Sequence, residues 1–149
     1  MHRKLLWLTL AAVVAAATAC SSSSTGGTPT PATSCLAQVN ATSALVYPAQ
    51  SATNVPDNVG QVIIGTTTTL PSGWNVELFT TGGFLVAIGN GLTPAPNPLP
   101  TPHTIPPFSN PVYQSSAMPL LPAATTLQVG VNNLNSNCIP TIVGVFTTQ

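Results

Sequence analysis

The chain has 149 residues, and once an N-terminal leader of about 19 is set aside it is long enough for one domain with one core and too short for two ordinary ones. Its charged side chains are Arg3, Lys4, Asp57 and Glu77, so everything after residue 4 is without Lys or Arg. Nucleic-acid binding depends on Lys and Arg neutralising phosphates and releasing counterions, and no Gly-Lys-Ser/Thr phosphate loop is present; the composition therefore argues against nucleic acid as a partner. Low charge does not make the chain disordered, because Val, Ile and Leu recur in short bursts, whereas disordered chains combine low hydrophobicity with high net charge. A surface made of Thr, Ser, Asn and Gln has little charge to keep copies apart, a liability that tethering would lessen.

Met1 to Lys4 give a basic start, and Leu5 to Ala19 an apolar run of about fifteen residues, shorter than the roughly 20 that span a bilayer. The pattern reads as an export signal. Two other readings stay open: an uncleaved anchor helix, and signal peptidase I cleavage after Ala17-Thr18-Ala19. Directly after that bond come Cys20 and the run Ser21-Ser22-Ser23-Ser24-Thr25. With small residues before it and a Ser tract behind, Cys20 resembles the lipobox cysteine of bacterial lipoproteins, although Ala17 stands where Leu is usual. The resemblance implies cleavage by signal peptidase II before Cys20, diacylglycerol on its thiol and an acyl chain such as palmitate on its new amine. It implies a protein lipid-anchored in the cell envelope, on the extracytoplasmic side of a bacterial membrane. Residues 20–34, rich in Ser, Thr, Gly and Pro, form a flexible or semi-extended tether.

Cys35 and Cys138 are the cysteines that remain. An even pair in an exported chain predicts a disulfide. Two isolated cysteines lack the C-x2-C spacing of a metal site, so no metal is expected.

Strand signals then follow one another. Ala44 to Tyr47 stops at Pro48, and Val59 to Gly65 is followed by a Thr run and the turn Pro71-Ser72-Gly73. Trp74 to Phe79 alternates, which places Trp74, Val76 and Leu78 inward and Glu77 on the outer, solvent-facing side. Gly82-Gly83 turns the chain into Phe84 to Ile88, which Gly89-Asn90-Gly91 is expected to end. Residues 92–111 carry Pro94, Pro96, Pro98, Pro100, Pro102, Pro106, Pro107 and Pro111. That density blocks helix interiors and central strands, so the segment reads as an extended surface loop, either a stiff connector between sheets or a docking ligand for a proline-recognising partner. Val112 to Ser115, Leu127 to Val131 with Leu127, Val129 and Val131 inward, and Ile142 to Thr148 complete the pattern. About seven short strands, turns between them and no helical period predict an all-β antiparallel sandwich over residues 35–149.

Three stretches in this region carry a resemblance. Tyr47-Pro48-Ala49-Gln50-Ser51-Ala52-Thr53-Asn54-Val55-Pro56, Leu120 to Val129, and Val145-Phe146-Thr147-Thr148 are similar to the opening, a strand entry and the close of bacterial Ig-like domains of the surface-layer-protein type. Ser51 stands where Gly is usual, Leu127 where Tyr is usual, and the proline-rich insert is long. The resemblance implies an Ig-like sandwich in which the first and last strands run parallel side by side, bringing Cys35 and Cys138 to one pole.

Chemistry is sparse. After the leader there is one His, one Asp and one Glu, while hydrolytic sites need a nucleophile, a base and an orienting group, or two carboxyls. His103 lies in the proline-rich loop, Asp57 reads as a turn residue, and there is no Gly-x-Ser-x-Gly elbow. No catalytic residue and no cofactor is expected. The function expected is non-enzymatic: a membrane-anchored envelope lipoprotein with an Ig-like structural or protein-interaction module. A carbohydrate-binding accessory domain is the alternative, with Trp74 and Tyr113 as candidate ligand contacts.

Overall fold

The computed structural model describes residues 32–95 and 99–149; the expected leader, Cys20 and most of the expected tether lie outside them. The described chain is a β-sandwich with eight strands, one more than the sequence pattern suggested. One sheet has the order β1-β2-β6-β5, from β1 (Ser43–Tyr47), β2 (Gln61–Thr66), β5 (Thr93–Pro94) and β6 (Val112–Ala117). The other has the order β4-β3-β7-β8, from β3 (Trp74–Thr80), β4 (Leu85–Gly91), β7 (Thr126–Asn133) and β8 (Thr141–Thr147). All strand pairs are antiparallel.

The period of two decides which side chains meet between the sheets. Leu45, Val62 and Ile64 from the first sheet meet Trp74, Val76, Leu78, Leu127, Val129 and Val131 from the second, all buried in one core with Phe146. Burial of such side chains contributes about 25 cal/mol per Å² of apolar surface. Gln114, opposite Ile64, is a buried polar residue on the inner side of the first sheet. Its Nε2 donates to Leu70 O and its Oε1 accepts from Leu70 N, both at 2.9 Å, so its amide is satisfied by the loop before β3.

Local chemistry sets the ends of the elements. Gly83, at φ +82°, makes the β3–β4 turn, where a side chain would be strained; its N–H donates to Thr80 O at 2.9 Å. The strand after it continues through Gly89, Asn90 and Gly91, which the sequence pattern took as its end. Gly89 persists in the strand because Ser116 and Ala117 of the other sheet, with Met118 just beyond them, crowd the place of a Cβ, and Ser116 Oγ donates to Asn90 O. A four-residue helix, α1 (Cys35–Gln38), was not visible as a period; Ser34 caps it, its Oγ accepting from Ala37 N.

The proline-rich segment is more than a surface loop. Thr93–Pro94 pairs with β6, and further on Thr104 N donates to Val46 O at 2.7 Å. Pro106 is buried against Gly65, on the face of the first sheet turned away from the main core. Val46 and Ile63 are fully buried yet outside that core. The first sheet is therefore covered on both sides along β1 and β2, which explains the unbroken apolar run Val62-Ile63-Ile64.

The parallel pairing with the last strand also differs from expectation. β1 lies in the opposite sheet from β8. Two other segments run parallel to β8 and its flanks: Ser34 bridges Ile139, and Val55 bridges Thr148. Ser51 N donates to Val145 O, Thr147 N to Ala52 O, and Val55 N to Thr147 O, at 2.8 to 3.0 Å. These bonds satisfy backbone groups that an open edge would expose.

Candidate functional site

Cys35 and Cys138 are joined, with Cα atoms 5.0 Å apart. The bridge follows from the backbone: Cys35 N donates to Ile139 O at 2.9 Å and Ile139 N to Thr33 O at 3.1 Å, so the start of the folded unit lies beside the approach to β8. The bond ties residues 103 apart at one pole of the sandwich, as the sequence predicted.

Polar side chains gather against this bridge. Asn132 Oδ1 lies 3.2 Å from Cys35 Sγ, and Asn132 Nδ2 donates to Glu77 Oε1 at 2.9 Å. Asn75 stands directly across from Asn132 in the β3–β7 register, and Glu77, two residues on, shares the face of Asn75. Glu77 faces Gly130 on one side and Ile88 on the other. A Cβ at residue 130 would meet Phe79 Cε2 at 2.7 Å and Pro140 Cβ at 3.4 Å, so these two residues close over the strand beside Glu77. Glu77 is consequently only 6% exposed, which corrects its sequence assignment as a surface residue. The alternation was read rightly, but the outer face is covered by Phe79 of the same strand and by Pro140 from a distant segment. Asn75 is 1% exposed, and neither its Oδ1 nor its Nδ2 has a hydrogen-bond partner.

The two candidate ligand contacts are not brought together. Trp74, 2% exposed, belongs to the core between the sheets, so it offers no stacking platform to a sugar; that assignment is corrected. Tyr113 is half-buried in the other sheet, across from Gly65. His103 is exposed and Asp57 lies in a turn whose carbonyl accepts from Leu121 N at 2.9 Å, so these titratable groups sit apart from Glu77 in different loops.

An apolar groove of about 260 Å³ runs along the outer face of the second sheet, lined by Phe79, Gly83, Gln128, Ile139, Pro140 and Ile142. Leu85, the cross-strand partner of Phe79, and Phe84 are exposed nearby. Among the described residues no helix is long and apolar enough to cross a membrane, and no three His, Cys, Asp or Glu side chains cluster. The sequence reading missed Asn75 and Asn132. The polar-at-alternate-positions signal Asn75-x-Glu77 was present, but the partner across the sheet follows only from the β3–β7 pairing.

Comparison with known proteins finds no matching family model, no similar curated protein and no similar solved structure.

Proposed function

We propose that this chain is a non-enzymatic lipoprotein of a bacterial cell envelope, anchored by lipid on Cys20 at the extracytoplasmic side of the membrane. An Ig-like sandwich is held on a short tether as a structural or protein-interaction module. The observation that carries this reading is the Cys35–Cys138 bond. It accounts for two of three cysteines, and the third stands directly behind an export signal, in the lipobox-like context of small residues and Ser. The tether then has a definite length. Residues 21–32 lead to Thr33, the first of the described residues hydrogen-bonded to the sandwich, and twelve residues reach at most about 40 Å when fully extended. The module would work close to the membrane. The exposed Phe84 and Leu85 beside the groove along Phe79 and Ile142 give it an uncharged apolar surface suited to an envelope protein. A glycan-binding role is less well supported, since Trp74 is enclosed in the core.

Cys20→Ser tests the anchor. In detergent phase separation the native chain is expected in the detergent phase and the variant, still disulfide-bonded, in the aqueous phase. A native chain that partitions into the aqueous phase contradicts the reading.

A further inference from the structure

We propose that Glu77 and Asn75 bind a hard divalent cation, Ca²⁺ by preference, with Asn132 orienting the carboxylate. The inference does not depend on the lipid anchor. Glu77 carries a carboxylate into a nearly solvent-free position in a folded unit that has no Lys or Arg to pair with it. Buried carboxylates are ordinarily paired with a cation or a metal. Asn132 Nδ2 donates to Oε1, so this bond leaves Oε2 uncommitted. Two residues away on the same face, Asn75 holds a buried carboxamide with no partner for either polar atom. The orphaned Asn75 oxygen calls for an explanation, and a bound ion supplies one: Asn75 Oδ1 and Glu77 Oε2 as ligands, the cation as counter-charge to the carboxylate. Carboxylate, carboxamide and water oxygens select hard cations, and Ca²⁺ tolerates an irregular, partly hydrated shell that Mg²⁺ does not. Asn132 acts through Glu77, as outer-shell groups orient ligands elsewhere, and its partial exposure marks the side from which the ion enters.

The test uses the full chain in a Trp7→Phe background, so that Trp74, next to Asn75, is the one indole. With a Kd near 1 mM, as in extracellular modules, 10 mM CaCl₂ against EDTA shifts the folding equilibrium about elevenfold and raises Tm by about 5 °C. Tb³⁺ should show emission sensitised by Trp74 and displaced by Ca²⁺. Glu77→Gln, which keeps an acceptor for Asn132, and Asn75→Ala should abolish both responses, and Asp57→Asn, removing the other acidic side chain, should leave them intact. Side-chain amide resonances of Asn75 and Asn132 should move on Ca²⁺ addition, a readout that needs no ligand variant. A Tm insensitive to CaCl₂ with unmoved amides means ordered water alone and overturns the site. Emission that survives Glu77→Gln, or is lost in Asp57→Asn, places the ion elsewhere and overturns it equally.

Discussion

Pro106 rests on Gly65. A Cβ at residue 65 would fall 2.7 Å from Pro106 Cγ and 3.3 Å from Val46 Cγ2, closer than side chains pack. The contact joins a residue in the middle of β2 to one 41 positions later in the proline-rich segment, and it is why that segment lies on the sheet. Gly65→Ala should lift the ring and cost about 1–3 kcal/mol. Thermal or denaturant unfolding measures it, and a variant as stable as the parent would mean that Pro106 is not packed there.

The Cys35–Cys138 bond closes almost the whole domain into one loop. In the chain-entropy model a loop of about 100 residues is stabilised by about 4.7 kcal/mol. The Cys35→Ala/Cys138→Ala double variant should therefore lose several kcal/mol, and reduction of the parent should lower Tm to a similar degree. Equal Tm values with and without reductant would contradict a bond formed in solution.

Trp74 fills the space between the sheets, so its emission should be blue-shifted and weakly quenched by acrylamide once Trp7 is removed. Trp74→Ala should cost about 3–5 kcal/mol through the cavity it leaves, with any loss of ligand binding tracking loss of fold. A stable Trp74→Ala variant that selectively loses glycan binding would restore the carbohydrate reading.

Gln50 Oε1 accepts from Val145 N at 3.2 Å, alongside the parallel backbone bonds that close the edge of β8. Gln50→Ala should cost about 1 kcal/mol and speed amide exchange at Val145 first. Unchanged exchange there would show that the edge is held without it.

The layers of the fold were largely legible in the chain. The alternations through Trp74, Val76 and Leu78 and through Leu127, Val129 and Val131 name inward residues correctly, since a strand presents every second side chain to one face. What the alternation does not carry is whether the opposite face is covered. Glu77 and Asn75 are buried in part by residues more than fifty positions away, Asn132 and Pro140, and Val46 and Ile63 by a segment whose prolines read only as loop. Gly89 to Gly91 looked like a strand end because glycine ends many strands; here it answers to crowding from Met118 and Ser116. The disulfide was legible because setting Cys20 aside at the expected export cut leaves an even pair. The polar cluster beside it was not, because Asn132 meets Asn75 only through strand pairing.

The central claim is that this sandwich is displayed on a lipid anchor, and the mass of the N-terminal fragment tests it most directly. Proteolysis of the native protein followed by intact mass measurement should return a first residue Cys20 carrying diacylglycerol, with or without a further acyl chain. An unmodified peptide beginning at Cys20, or one retaining Met1 to Ala19, would contradict the account.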